Sequence, residues 1–143
     1  MKSLIEKAFF LKKISLFSEL ELELLLAIAE KLHEDDYDAN EKVFSSRQVA
    51  NRIYFIYDGS IQILDEKNKL FSELHSGGYF GDEALFNEEP RAYTAVCKTD
   101  SLLMTLSRSH LLSIISECPS VAIALIHAYT QKLPCRFINQ TNK

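Results

Sequence analysis

Three of the four glycines in this 143-residue chain lie in one stretch, Gly77-Gly78-Tyr79-Phe80-Gly81-Asp82-Glu83-Ala84-Leu85-Phe86, which runs on through Asn87-Glu88-Glu89 to Pro90-Arg91-Ala92. Such a stretch can hold an anion. A glycine pair enters a turn, Gly81 opens a short helix of good formers at Glu83, Ala84 and Leu85, and the N–H groups of that helix's first turn lack intrahelical partners. Glycine also lets the backbone approach a ligand where a side chain would hold it off. Arg91, set between Pro90 and a strand, presents a planar fork that matches two oxygens of one phosphate. Asp82 adds an acceptor for a sugar hydroxyl. A turn followed by a surface arginine paired with Glu88 or Glu89 has the same composition, so both readings stand at this point.

The elements that must position this stretch show in the changes of period along the chain. Leu4, Ile5, Ala8, Phe9 and Leu11 predict a first short helix. Ser18 with Glu21 has capping-box spacing and predicts a second, with Leu20, Leu24, Ala27, Ile28 and Leu32 on one side, ending near Lys31 to His33. The nine acids from Glu19 to Glu41, against the single Lys31, read as a solvated helix face and loop. From Tyr37 onward β-branched and aromatic residues take over, at Val43-Phe44, Ile53 to Tyr57, Ile61 to Leu64, Leu70-Phe71 with Leu74, Ala92 to Lys98 and Ser101 to Leu106. Asp58-Gly59 between two of these runs reads as a hairpin turn, and Thr99-Asp100 joins the last two. After Leu106 the helical period returns. Ser107 or Ser109 caps a helix carrying Leu111, Leu112, Ile114 and Ile115, and Pro119 suits the first turn of another through Ala122, Ile123, Leu125, Ile126, Tyr129 and Leu133, which Pro134 ends. Seven or eight short strands between helical flanks predict a mainly β fold, an antiparallel sandwich or jelly roll.

Length and charge restrict what such a fold can do. At 16.4 kDa the chain has room for one domain, with 47% hydrophobic and 25% charged residues, an ordinary globular composition. Sixteen Lys and Arg against twenty Asp and Glu give a formal charge of −4, which excludes a broad nucleic-acid surface and requires any anion site to be local. The longest stretch free of charged residues, Cys118 to Gln131, is too short for a bilayer, and Glu6, Lys7, Lys12 and Lys13 interrupt any signal peptide, so a cytoplasmic protein is expected. Cys97, Cys118 and Cys135 form no CxxC pair, and His33, His75, His110 and His127 are scattered, so no metal site is expected. A metal oxygenase on a β-barrel would need His and carboxylate ligands clustered on adjacent strands, and no enzymatic activity is expected either.

The glycine-rich stretch resembles the phosphate-binding cassette of cyclic nucleotide-binding domains, the family of catabolite activator proteins and protein kinase A regulatory subunits, whose pattern is approximately F-G-E-x-A-L followed by P-R-x-A-T. Here it stands as Phe80, Gly81, Asp82, Glu83, Ala84, Leu85, then Pro90, Arg91, Ala92, Tyr93, Thr94. Leu11 to Ser18 is similar to the family's opening helix and loop, and Ile53 to Ile61 to its central hairpin, so the resemblance runs from about Leu11 to Leu133.

The resemblance implies an antiparallel β jelly roll (a double-stranded β-helix) as a single domain over residues 1–143: N-terminal helices to about residue 33, the β-roll at about 36–107 with the cassette at 78–92, C-terminal helices at about 108–133, and a tail. It implies that Arg91 pairs with the cyclic phosphate while Gly81 and the N–H groups of Glu83 and Ala84 complete the cradle. Ala92 lacks the hydroxyl that families preferring cyclic GMP often carry there, which leans towards cyclic AMP. Asp82 falls on the family's ribose glutamate but is shorter by one methylene, about 1.5 Å of reach, so neighbouring Glu83 is an alternative for that role. The turns at Asn40 to Gln48 lack the family's glycines, and Asn tolerates the positive φ required. Tyr129, Leu133 and Phe137 are the candidates for a lid, or core and dimer-seam residues of an amphipathic helix.

A regulatory sensor follows. It has no output domain of its own, an effector protein on another chain, a homodimer through the C-terminal helix as an option, and no nucleic-acid or membrane partner. The alternative is a β-roll of the same fold that has lost nucleotide binding and serves as an interaction or dimerisation module. In the sensor reading Arg91 serves ligand more than core.

Overall fold

In the computed structural model, which describes residues 1–132, helices α1 (Leu4–Lys12) and α2 (Leu22–Ala29) precede the strands. These are β1 (His33–Tyr37), β2 (Lys42–Phe44), β3 (Arg52–Asp58), β4 (Ser60–Leu64), β5 (Leu70–His75) and β6 (Tyr79–Phe80). One helical turn, α3 (Ala84–Asn87), separates them from β7 (Thr94–Cys97) and β8 (Ser101–Ser107), and α4 (Arg108–Glu117) and α5 (Ser120–Lys132) follow. The strands form two antiparallel sheets, β1-β8-β3-β6 and β2-β7-β4-β5, the helix-flanked jelly roll the sequence predicts.

The run Ile53-Tyr54-Phe55-Ile56 lacks polar alternation because both faces of β3 are covered. Ile53 and Phe55, with Met104 and Leu106 of β8, face the helices and join Leu11, Phe17, Leu25 and Ile28. Tyr54 and Ile56 point the other way, into the roll, where they meet Phe44, Ile61, Phe80 and Leu103. Tyr54 stacks on Phe80 at 5.2 Å between ring centroids. The core is therefore two layers divided by one sheet.

Three local expectations change. Asp58-Gly59 is not a hairpin, because β3 and β4 belong to different sheets. The glycine is needed where the chain passes from one sheet to the other: Gly59 has φ +111°, and a Cβ there would lie 2.8 Å from the Cα of Ser101. Secondly, the β region begins at His33. The acids Glu34, Asp35 and Asp36 lie on an edge strand paired to β8 alone, where charge on the open side discourages further pairing. Thirdly, Ser18 does not cap α2. Its hydroxyl donates to the Ser15 carbonyl, and α2 starts behind Glu21 with no side-chain cap. Asn40 and Arg47 take φ +73° in the turns that lack glycine.

Candidate functional site

Gly81 follows β6 and has φ +80°. A Cβ at this position would lie 2.7 Å from Arg91 Nη1 and 3.3 Å from the Arg52 carbonyl, so the approach of the arginine itself demands glycine. Arg91 is fixed through its backbone: its N–H donates to the Gln48 carbonyl at 2.8 Å, and its carbonyl accepts from the Arg47 N–H at 2.6 Å. The side chain then turns inward. Its Nη1 donates to the Gly81 carbonyl at 2.9 Å and its Nη2 to the Arg52 carbonyl at 2.8 Å. The guanidinium lies 4.1 Å from the Phe44 ring centroid, and Nε is buried with no partner. Arg91 is only 5% exposed. This rules out the surface pairing with Glu88 or Glu89 and gives Arg91 a structural part beside the ligand role expected of it: it ties β3 to the cassette. Burial pushes its pKa down from the usual arginine value.

On the other side of the cassette lies a pocket of about 380 Å³. Asp82, Glu83 and Ala92 line it beside Tyr79 and Tyr93, and Ile63, Phe71 and Leu74 supply an apolar wall. Among the described residues no lysine or arginine lines this pocket. Arg91 instead borders a neighbouring cleft of about 260 Å³, with Glu83, Asn87 and Glu89. The cassette thus gathers Asp82, Glu83 and Ala92 at one pocket; Glu83 and Ala92 also line the arginine's cleft, and Asp82 does not. Ala84 opens α3, a single turn with Glu83 at its N-cap and no side-chain cap bond.

Two tyrosines fill hydrogen-bonding roles around these acids. The Tyr93 hydroxyl accepts from the Gly81 N–H at 2.8 Å and donates to Glu83 Oε1 at 3.0 Å. The Tyr129 hydroxyl of α5 donates to Asp82 Oδ2 at 2.7 Å, and its ring meets Phe86 edge-on at 5.9 Å. Burial, followed by the neighbouring acids, raises the pKa of both hydroxyls, so they remain donors. The Glu83 carboxyl is also raised, by loss of water and then by the charge of Asp82. At the end of α3, Glu88 takes a left-handed conformation and pairs with Arg108 of α4 at 2.6 Å. The cassette is therefore tied to both C-terminal helices.

Of the lid candidates, Tyr129 reaches the cassette, while Leu133 and Phe137 lie outside the described residues. Sequence reasoning missed Tyr93, although a signal was present: it stands where the P-R-x-A-T pattern has a small alanine. Among the described residues no group of three or more His, Cys, Asp or Glu could hold a metal ion, and no single helix is long and apolar enough to cross a membrane.

The sequence and the fold resemble those of known proteins. A cAMP-dependent protein kinase regulatory subunit from Debaryomyces hansenii is 29% identical over 100 residues, 70% of this chain and 22% of that protein. The chain therefore spans about a fifth of that relative's length. The regulatory domain of Toxoplasma gondii PKA, solved with cAMP, superposes with a TM-score of 0.78 at 19% identity, covering 90% of this chain and 50% of that one. The regulatory subunit of a cAMP-independent protein kinase A from Trypanosoma brucei superposes with a TM-score of 0.75 at 22% identity, covering 92% and 48%. A sequence model of the cyclic nucleotide-binding domain matches residues 34–118, from β1 past the end of α4 and through the whole cassette, and the chain belongs to the cyclic nucleotide-binding domain family.

Proposed function

We propose that this chain is a non-enzymatic regulatory domain that binds a cyclic nucleotide, cyclic AMP ahead of cyclic GMP, and passes the event to a partner through its C-terminal helices. The observation that carries this reading is the 2.7 Å hydrogen bond from Tyr129 to Asp82. It joins the acid placed to meet a ribose hydroxyl to the helix placed to report it. A ribose hydroxyl that engages Asp82 competes with Tyr129, and α5 responds. Ala92 supports cyclic AMP because it offers no hydroxyl to a guanine, and the names of the Debaryomyces hansenii and Toxoplasma gondii proteins point the same way, whereas the Trypanosoma brucei regulatory subunit is named for a cAMP-independent kinase.

Binding requires the cassette to change. The Gly81 N–H reaches a phosphate only after the Tyr93 hydroxyl leaves it, Glu83 and Ala84 add theirs, and Arg91 turns one of its unused N–H groups, or one of the two held by carbonyls, to a phosphate oxygen. The effector is a cytoplasmic protein on another chain or a second copy of this one. Ile123 and Ile126 of α5, 67% and 59% exposed, provide an apolar face for either.

A second reading is favoured by one observation: the Gly81 N–H is already taken by Tyr93. In that reading the roll has lost nucleotide binding and works as an interaction module. Thermal melts separate the two. Ligand at about 100 times its dissociation constant adds about 2.7 kcal/mol of stability. A rise in Tm with cyclic AMP larger than with cyclic GMP supports the first reading; no rise with either at millimolar concentration rejects it. In Tyr129→Phe, nucleotide still binds, but the accompanying change in hydrogen exchange along α5 is lost.

A further inference from the structure

A second concave site lies where the strands meet the helices. Antiparallel register sets Arg52 opposite Ser107, and Thr105 opposite both Tyr54 and His33. Directly opposed residues share a face, as do residues two apart on one strand, so Arg52, Ser107, Thr105 and His33 all project to the side on which Tyr54 enters the roll. Lys31 comes from the turn after α2, and His110 from the first turn of α4, whose N-cap is Ser107. These six residues line a cavity of about 310 Å³.

Among the described residues every side chain that lines it is a cation, a histidine or a hydroxyl, and no acid does. Arg52 is half-buried, and neither it nor Lys31 forms an ion pair among the described residues. Asp35 is the nearby acid, and it is engaged by His33 at 3.2 Å. Two cations, the half-buried Arg52 and the exposed Lys31, converge on this pocket without a counter-charge in its lining, and an anion that enters gains the attraction of both. The guanidinium fork with adjacent hydroxyl donors suits the oxygens of a phosphate group, while the chain's charge of −4 and the cavity's small volume oppose an extended polyanion.

We propose that this cavity is a binding site for the phosphate group of a small soluble molecule, separate from the cassette. Its main contacts are Arg52 and Lys31, with Thr105, Ser107, His33 and His110 around them. The phosphate could also be presented by a phosphorylated side chain, and the test distinguishes the two.

The full chain is titrated with inorganic phosphate and with pyrophosphate at low ionic strength, with sodium chloride at matched ionic strength as the control, and the four histidine rings are followed by NMR. Pyrophosphate produces saturable shifts at His33 and His110 and leaves His75 and His127 in place. The double variant Lys31→Gln, Arg52→Gln, which keeps the Arg52 carbonyl that receives Arg91, lowers the affinity at least tenfold; Asp82→Asn leaves it unchanged. Equal shifts at all four rings, shifts that survive in the double variant, or none up to about 10 mM would overturn the site. A phosphoserine peptide that binds more tightly than pyrophosphate overturns the small-molecule assignment. Because no cyclic nucleotide is used and the readout lies outside the cassette, the result is independent of whether the cassette binds one.

Discussion

The cassette pocket and the pocket between β1, β3 and β8 carry opposite charge, and neither follows from the net charge of the chain. Among the described residues the first is lined by Asp65, Asp82 and Glu83 with no lysine or arginine, the second by Lys31, Arg52, His33 and His110 with no acid. The family's arginine is present at position 91, yet two of its N–H groups are held by the carbonyls of Gly81 and Arg52 and its Nε is buried. Arg52 contributes its carbonyl to that contact and its guanidinium to the other pocket. One arginine holds the fold together, while the other is left with charge to offer. A motif specifies that an arginine stands in the cassette; the packing around it decides whether the guanidinium faces ligand or backbone.

The sharpest way to break this comparison is to remove each arginine. Arg91→Ala leaves the Gly81 and Arg52 carbonyls without donors and opens a cavity against Phe44. Its cost in urea unfolding is about 3 to 5 kcal/mol, together with loss of any nucleotide binding. Arg52→Gln retains the backbone carbonyl and costs within about 1 kcal/mol. Equal losses for the two variants would erase the distinction between a structural and an available arginine. The next effect concerns Tyr93. Tyr93→Phe forfeits the bonds to Gly81 and Glu83, lowers stability by about 1 kcal/mol, and frees the Gly81 N–H. Nucleotide affinity then rises about fivefold by calorimetric titration, while pyrophosphate binding at the other pocket does not move. Unchanged or weaker nucleotide affinity shows that Tyr93 does not compete with the ligand.

These effects also show which parts of the molecule could be read from residue types. The strands of the roll were visible as β-branched and aromatic runs, and Ser107 capping α4 was visible as a serine before a helical period. Asp58-Gly59 misled because local turn chemistry is the same for a hairpin and for a crossing between sheets; only the packing of Ser101 against Gly59 tells them apart. His33 to Tyr37 was hidden because an edge strand can be acidic, so its composition resembles a loop. At the cassette, the family resemblance pointed to Asp82, Glu83 and Ala92, which line one pocket, and to Tyr129, whose hydroxyl reaches Asp82. The inward turn of Arg91 was not available from its letter, since it depends on Phe44 and Arg52, 47 and 39 residues away in sequence. The basic pocket was hidden for the same reason: its six residues, spread from Lys31 to His110, meet only through sheet register.

The smallest effect tests the acidity of the cassette pocket directly. The Glu83 carboxyl has its pKa raised above 4.5 by lost water first and by Asp82 second. A raised carboxyl binds its proton more tightly in the folded state than in the unfolded chain. Its favourable contribution is therefore full below pH 4.5 and is lost as the pH climbs through the folded value. Glu83→Gln keeps an oxygen to accept from Tyr93 and carries no charge at any pH. Melts from pH 4 to 7 should therefore show the wild type falling behind Glu83→Gln as pH rises, by under about 1 kcal/mol, since Glu83 is exposed and water screens much of its repulsion with Asp82. If the two curves stay parallel, the two carboxylates do not repel, and the cassette pocket is open to an anion without first relieving its own charge. If they diverge, a cyclic phosphate must either bring Arg91 round from the backbone or displace charge at Glu83 before it can bind.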